Sequence, residues 1–193
     1  MTHVSDTKCA IRSAVRSARA RIEPSERAAA AEAVAHALVD LPELAAVRCV
    51  LAYHSTAEEL DTAPVIHALR ARGVRIALPR IDDPGILDIH EHTEDSVLTA
   101  GPHGILEPLA SAPRVNEPDI DAVLVPAIAF GVDGFRIGYG GGFYDRLLPR
   151  FHSGCWRVGV AFDEQIVASV PVEEHDQRVD LIVTPSRVFR LGR

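Results

Sequence analysis

Short apolar runs recur along this chain and alternate with segments that have the spacing or the boundary residues of helices. The candidate strands are residues 49–53, 74–78, 87–90, 122–125, 158–162 and 181–183, and the third is expected at an edge of the sheet. Apolar runs bounded by Gly, Pro or Asp are typical of strands buried on both faces, and strands that alternate with helices form parallel sheets. The pattern therefore predicts one α/β domain over residues 1–193, with a mostly parallel central sheet and helices on both faces in three α/β/α layers.

Helix boundaries can be read from the same pattern. The expected helices cover residues 6–22, 24–39, 63–72 and 143–148. Thr62 is predicted to cap the third of these, and Gly73 to end it. Residues 101–119 are rich in Pro and Gly, so an irregular surface segment is expected there.

The topology also predicts where a ligand would bind. In open parallel sheets the binding crevice lies at the carboxyl ends of the strands. The loops that follow Tyr53, Val125 and Phe162 should therefore meet in space.

Composition limits the function. The 193 residues are 47% hydrophobic and carry a net charge of -7, which is ordinary for a globular protein and argues against a nucleic-acid-binding surface. No run approaches the roughly 18 apolar residues that a membrane helix needs. The N-terminus lacks the apolar region of a secretory signal, although its Arg and Ser content leaves a transit peptide as an alternative. We expect a cytoplasmic protein without nucleic-acid or membrane partners, and a monomer, with a weak dimer as the alternative.

The three cysteines, Cys9, Cys49 and Cys155, are odd in number and widely spaced. This spacing suits neither a disulfide framework nor a metal knuckle. No base-bearing motif adjoins them, so reduced thiols in the core are expected.

Residues 136–145 contain the strongest signal for chemistry. Glycines at 138, 140, 141 and 142 lie between a predicted strand and a predicted helix, with Arg136 before them and Asp145 after them. Glycines allow backbone N–H groups to approach an anion closely, Arg can bind phosphoryl oxygens, and Asp can bind a divalent cation. The segment is predicted to be a phosphate-holding loop, and a flexible tight turn is the alternative.

This loop matches neither of the two commoner phosphate motifs. No Gly-Lys-Ser/Thr follows it, so it is not a P-loop. The third glycine of the dinucleotide fingerprint would fall on Phe143, so it is not that motif either.

Lys8 is the only lysine among the 20 basic residues. An ammonium is a compact point donor, whereas a guanidinium is a planar fork, so this single lysine suggests a specific task. Composition drift toward Arg is the alternative. Lys8 and Arg12 are four residues apart and would share one face of a helix.

The run VPAIAFGVDGFRIGYGGGFYDR (residues 125–146) closely resembles the signature of the 5-formyltetrahydrofolate cyclo-ligase family, also called methenyltetrahydrofolate synthetases. Three further segments are similar to motifs of that family: residues 8–12, residues 54–62, and the closing stretch from residue 158 to Asp180. The similarity extends from Lys8 to Thr184. Phe143 stands where Tyr is common in the family, which removes a hydroxyl, and Ile137 stands where Leu is common.

The resemblance implies an enzyme that converts 5-formyltetrahydrofolate and ATP into 5,10-methenyltetrahydrofolate, ADP and phosphate with Mg2+. The formyl oxygen would attack the γ-phosphate, after which N10 closes onto the activated carbon and phosphate leaves. Such chemistry needs in-line positioning and neutralisation of phosphoryl charge more than a protein nucleophile.

The resemblance also implies roles for individual residues. The catalytic candidates are Lys8 and Arg136. The ATP-binding candidates are Lys8, Arg12, Arg136, Gly138, Tyr139, Gly140, Gly141, Gly142, Phe143 and Tyr144. The folate-binding candidates are His54, Glu59, Tyr139 and Phe143. The Mg2+ candidates are Asp145 and Asp180.

Each role has a simpler alternative. Lys8 could be a solvated lysine on a helix face, Glu59 an exposed loop acid, and Asp180 a surface acid at the start of a strand. His54, Tyr139 and Phe143 could serve packing alone. For the whole chain, the alternatives are a catalytically inactive nucleotide- or folate-binding regulatory protein and an ATP-dependent enzyme with another small formyl or carboxamide substrate. The presence of Lys8, Arg136 and Asp145 together argues against the inactive protein, because a decayed enzyme should have lost at least one of them.

Overall fold

The structure, a computed structural model, describes residues 2–83 and 85–192 of the chain. Its α-helices are α1 (Thr2–Arg19), α2 (Pro24–Val39), α3 (Ala63–Ala71) and α4 (Phe143–Leu147). Its strands are β1 (Cys49–Leu51), β2 (Arg75–Asp83), β3 (Ile86–Glu91), β4 (Leu98–Ala100), β5 (Leu106–Pro108), β6 (Ala122–Val125), β7 (Ala129–Gly131), β8 (Arg136–Ile137), β9 (Trp156–Val160), β10 (Ile166–Val167), β11 (Leu181–Val183) and β12 (Val188–Arg190). Short 3-10 helices cover Pro42–Leu44, Pro102–Gly104, Glu117–Asp119, Leu148–Arg150 and Asp163–Gln165.

The large sheet has seven strands in the order β12-β11-β9-β6-β1-β2-β3. Its five inner strands are parallel to one another, whereas β3 and β12 pair antiparallel at the two edges. The predicted mostly parallel sheet is confirmed, and so is the position of the third predicted strand at an edge.

Both faces of this sheet are covered. Successive side chains of a strand point to opposite faces, so Val50 packs in one core cluster while Cys49 and Leu51 pack in another. Helices α2 and α3 supply the first cluster, and the segment around Leu147 and Phe151 supplies the second. The sheet is therefore the middle of three layers, as predicted, and its apolar strands are buried on both sides for that reason.

A second sheet, in the order β10-β7-β8, forms where the chain continues past the carboxyl ends of β6 and β9. Helix α1 packs on it through Val15, which shares a core cluster with Ile128, Ile137 and Val170. The sequence did not predict β7, β8, β10 or β12, because strands of two or three residues are too short to show a period of two.

The loops after the inner strands meet as predicted. Gln165, which follows β9, donates from Nε2 to the carbonyls of Ala127 (2.9 Å) and Ile128 (3.2 Å), which follow β6. Arg27 of α2 joins the third loop, because its guanidinium donates to the carbonyl of Glu58 (3.1 Å) and lies over the Phe162 ring.

Several local predictions were wrong. Residues 101–119 are not wholly irregular, because β4 pairs with β5. Thr62 does occupy the N-cap position of α3, as predicted, but its hydroxyl donates to the Tyr53 carbonyl (2.6 Å) instead of capping the helix, while Asp61 accepts from the Ala63 N–H (2.9 Å). Cys9 is exposed on α1, so only Cys49 and Cys155 are core thiols.

Within the described residues, no helix is long and apolar enough to cross a membrane.

Candidate active site

The glycine loop, residues 138–142, connects β8 to α4. Gly140 and Gly142 have φ of +105° and +63°, a region that side chains disfavour, so glycine is required at both positions. The loop carbonyls are used, since Arg12 donates to Gly138 O and Arg146 to Gly141 O. The backbone N–H groups of residues 139–142 donate to no acceptor among the described residues. A run of such donors in a turn is a concave anion-binding surface.

Helix α1 lies against this loop. The Arg12 Nε donates to the Gly138 carbonyl at 2.9 Å, across 126 positions of sequence. Arg16, one turn further along α1, places its guanidinium 5.7 Å from the centre of the Tyr139 ring. The N-terminal segment and the glycine loop therefore form one site.

Lys8 is buried beside this site, and its Nζ lies 2.8 Å from both Glu173 Oε2 and Asp176 Oδ2. Burial alone would lower the pKa of Lys8, but hydrogen bonds to Asp176 and Glu173 raise it, so the ammonium stays charged. The alternative of a solvated lysine is contradicted, because the side chain is only 11% exposed.

Arg136 is also buried and paired within the protein. It donates from Nη1 to the Gln177 carbonyl (2.6 Å) and from Nη2 to Asp145 Oδ1 (2.7 Å). Burial lowers the pKa of Arg136, and the charges of Asp145 and Asp176 oppose that shift. Arg136 thus fixes Asp145 against the segment that leads into β11.

The two carboxylates predicted to bind Mg2+ have separate surroundings. Asp145 lies in the charged cluster with Arg136, whereas Asp180 is at the amino end of β11 and accepts from the Arg157 N–H of β9 at 2.8 Å. The contact between Asp180 and the Arg157 N–H helps to hold the neighbouring strands β9 and β11 in register. The sequence prediction missed Asp176, although it lies in the same closing stretch, because spacing alone does not tell which acid of that stretch reaches Lys8.

Residues 54–62, which follow β1, bring a second group of side chains to the glycine loop. Glu59 is 9% exposed, so it is not an exposed loop acid, and its Oε2 accepts from the Thr56 N–H at 2.8 Å. Burial, and next the negative charge of Glu59, raise the pKa of Tyr53, Tyr139 and Tyr144. A carboxylate surrounded by three phenols is thus the centre of this region.

His54 forms an edge-to-face pair with His92, with ring centroids 5.8 Å apart. Burial lowers the pKa of both, that of His92 to about 4, so the pair is neutral at pH 7. The Nε2 atom of His54 and the Nδ1 atom of His92 are buried and have no partner among the described residues. The position of His54 suits hydrogen bonding to a neutral ligand.

The aromatic residues of the loop differ in their surroundings. Tyr139 is 47% exposed, whereas Phe143 packs against a core cluster and under the Arg146 guanidinium. The Tyr144 hydroxyl is buried and has no partner in the described part of the chain. Tyr139 and Tyr144 thus offer polar atoms to a ligand, while the Phe143 ring helps to hold the loop.

Comparison with known proteins places this arrangement in a family. Residues 4–185 match the model of the 5-formyltetrahydrofolate cyclo-ligase family. The 5-formyltetrahydrofolate cyclo-ligase of Escherichia coli K12 is 30% identical over 187 residues, which cover 91% of this chain and 98% of that protein. A mitochondrial 5-formyltetrahydrofolate cyclo-ligase of Arabidopsis thaliana is 30% identical over 210 residues, covering 94% of this chain and 75% of that protein.

A solved structure agrees with both. The NMR structure of the Aquifex aeolicus 5,10-methenyltetrahydrofolate synthetase superposes with a TM-score of 0.84 at 32% identity, covering 96% of this chain and 94% of that one. The motifs, the fold and the matched length lead to the same assignment: the chain belongs to the 5-formyltetrahydrofolate cyclo-ligase family of enzymes.

Proposed function

We propose that this protein converts 5-formyltetrahydrofolate to 5,10-methenyltetrahydrofolate with ATP and Mg2+, and releases ADP and phosphate. The observation that best supports the proposal is the docking of α1 on the glycine loop through Arg12 and Gly138. That contact supports the proposal because Arg12 lies one turn after Lys8 on α1 and bonds to the loop that carries the unpaired backbone donors.

In the first step the formyl oxygen attacks the γ-phosphorus and ADP leaves. The backbone N–H groups of the glycine loop hold phosphate oxygens, and Arg12 and Lys8 approach from α1. Lys8 exchanges the carboxylates of Glu173 and Asp176 for the transferring phosphoryl group, whose charge spreads over its oxygens in the transition state. Its contribution is therefore larger in the transition state than in the bound ground state.

Arg136 contributes by positioning other groups, not by contacting the reacting atoms. It is buried and bonded to Asp145, so it orients that carboxylate and adds positive charge behind the loop. In the second step N10 attacks the activated carbon, the C–O bond to phosphate breaks, and the N10 proton leaves with the phosphate as the ring closes. Glu59 holds the pterin through ring N–H donors, and His54 and Tyr139 line the same pocket.

The side chains present fit a magnesium ion. Asp145 and Asp176 each accept a short hydrogen bond from a cation through one carboxylate oxygen: Oδ1 of Asp145 from Arg136, and Oδ2 of Asp176 from Lys8. The other oxygen of each carboxylate would be the one that binds the ion. Mg2+ usually keeps several waters and takes one or two carboxylates plus substrate phosphates, so a larger protein cage is unnecessary. When bound, the ion would neutralise charge on the β- and γ-phosphates. We propose Asp145 with Asp176 as the metal-binding pair, and Asp180 as a strand-register residue.

The test is to follow formation of the methenyl product by absorbance with 5-formyltetrahydrofolate, ATP and Mg2+. Product that depends on all three supports the proposal. Absence of product together with retained ATP and folate binding would instead establish the inactive regulatory protein. Turnover of ATP with another formyl compound but not with this folate would establish the third alternative.

A further inference from the structure

Arg19, the last residue of α1, is among the largest fully buried side chains of the described residues, with 1% exposure. Its Nη2 lies 3.4 Å from Glu58 Oε2, a carboxylate whose side chain is 67% exposed. Its Nε and Nη1 atoms have no acceptor among the described residues. A buried guanidinium with two unused donors is costly, because each lost hydrogen bond to water remains unreplaced.

The surroundings of Arg19 are those of the proposed pterin pocket. The positive charge of Arg19 acts on the Tyr53 and Tyr139 hydroxyls, and the negative charge of Glu59 acts on the same two groups. Arg19 and Glu59 therefore both lie near the Tyr139 hydroxyl, one with donors to offer and the other with acceptors, although neither makes a hydrogen bond of ordinary length to it. A hydroxyl can donate to a carboxylate and accept from a guanidinium at the same time.

Tyr139 is 47% exposed and stands on the glycine loop, between Gly138 and Gly140. A ligand that displaces its hydroxyl must supply the same two functions side by side: an N–H for Glu59 and a carbonyl oxygen for Arg19. The pyrimidinone edge of a 4-oxo pterin does so, because its 2-amino group and N3–H are donors and its 4-oxo group, next to N3, is an acceptor.

An anionic ligand fits these observations less well. The glutamate tail of a folate carries charges that favour water, whereas Arg19 is the most deeply buried cation near the loop. Phosphate would approach Glu58 and Glu59, two carboxylates adjoining the guanidinium, and like charges disfavour that placement. The carbonyl of a neutral ring satisfies the donors without these costs.

We propose that Arg19 is a specificity-determining residue that donates a hydrogen bond to the 4-oxo group of the pterin while Glu59 accepts from the adjacent ring donors. The inference rests on the proposed function, since it names which edge of that substrate the pocket recognises.

The test compares 5-formyltetrahydrofolate with its 4-amino-4-deoxy analogue, in which the acceptor becomes a donor and N3 carries no hydrogen. Dissociation constants for both are measured with wild type, Arg19→Met and the control Arg21→Met, which removes an exposed arginine two residues away. Wild type and the control should prefer the 4-oxo compound by about 10- to 100-fold, because a site built for a hydrogen bond strongly rejects a ligand that cannot make it. Arg19→Met should reduce this preference by about 10-fold, and the preference that remains is the part that Glu59 makes through N3–H.

A purely structural Arg19 would weaken both ligands equally and leave their ratio at the wild-type value, which would overturn the inference. Equal binding of the two compounds to wild type would overturn it as well, whether or not Arg19→Met folds. Arg19→Lys, which keeps a donor, should recover part of the preference. Failure of wild type to convert 5-formyltetrahydrofolate at all is a different result, because it removes the proposed function itself.

Discussion

Beside the glycine loop, Lys8, Arg136 and Asp145 all have protein partners within 2.8 Å. Beside Glu59, several polar atoms are buried without a partner among the described residues, namely Nε and Nη1 of Arg19, Nε2 of His54 and the Tyr144 hydroxyl. The first region is arranged so that its charges are already balanced. In the second region, polar atoms are shielded from solvent but make no hydrogen bond within the described part of the chain.

The difference indicates two modes of recognition. Under the proposed function, the transferring phosphoryl group exchanges with the carboxylates that hold Lys8. Binding of ATP then neutralises little additional charge, and more is neutralised as charge moves in the reaction. A neutral heterocycle supplies hydrogen bonds that the protein lacks, and its gain is therefore made on binding. Substitutions in the first region should act on kcat, and those in the second on affinity.

The largest effect is expected for Lys8→Ala. Removing one positioned group that stabilises developing charge lowers kcat by about 100- to 1,000-fold. The dissociation constant for ATP, measured by calorimetry, should change by less than about 3-fold. Lys8 stays bonded to its two carboxylates while ATP is in its ground state and contacts the phosphoryl group only in the transition state. Equal losses in kcat and ATP affinity would contradict this separation.

The matched control is Glu173→Gln. Glu173 is half exposed and shares Lys8 with Asp176, which remains in place. Exposed ion pairs contribute about 0–1 kcal/mol, so kcat should stay within about 3-fold of wild type.

Glu59→Gln tests the second region. It replaces a charged acceptor with a neutral amide of the same shape, so kcat/KM for 5-formyltetrahydrofolate should fall by about 10- to 100-fold through loss of affinity. ATP affinity should be unchanged. A fall in kcat at saturating folate with an unchanged KM would assign Glu59 to the chemical step instead.

Three Asp→Asn variants test the charged region at finer scale. Asp145→Asn and Asp176→Asn should raise the Mg2+ concentration for half-maximal rate by about 10-fold, which is the usual cost of disturbing a metal environment. Asp180→Asn should leave the Mg2+ titration unchanged, since its carboxylate bonds to a backbone N–H in the sheet. A shift with Asp145→Asn and Asp180→Asn, but not with Asp176→Asn, would restore the original metal-site prediction.

The smallest effect concerns pH. Burial lowers the pKa of His92 to about 4, and that of His54 in the same direction, while an unfolded histidine titrates near 6.5. Between those values the unfolded state binds more protons, so stability is complete above about pH 6.5 and falls as the pH drops toward 4. After allowance for solvent screening, the loss is about 1 kcal/mol.

Urea unfolding at pH 7 and pH 4.5 measures this dependence. His92→Gln should remove most of it, whereas His67→Gln, which changes an exposed residue of α3, should not. An unchanged pH dependence in His92→Gln would show that the histidine pair is not its source.

How well a feature could be predicted from the sequence depends on how far apart in the sequence its contacting residues lie. The inner strands and α2 were predicted because runs such as residues 122–125 are apolar throughout and bury both faces. The glycine loop was predicted because its residues are adjacent in sequence and their conformational need is specific to glycine. The partners of Lys8 could not be predicted, since Glu173 and Asp176 lie more than 160 residues away.

Two other features were missed for different physical reasons. Arg19 lies at the end of an Arg-rich helix, where an arginine is normally solvated, and only the packing of α1 shows that it is buried. Asp176 and Asp180 look alike in sequence, because both are acids in the segment that leads into β11. Their roles separate only when the fold brings Lys8 to one and the Arg157 N–H to the other.

The docking of α1 has a consequence for folding during synthesis. Helix α1 is made before the elements it packs on, since Ile128, Ile137 and Val170 follow it by more than 100 positions. At about 5–20 residues per second, this helix would wait several seconds before its docking surface exists. Contacts of such long sequence separation also form late, because the intervening chain must first close. Catalytic competence should therefore appear after the central sheet has formed, and an early-folding intermediate would contain the sheet but not the complete site.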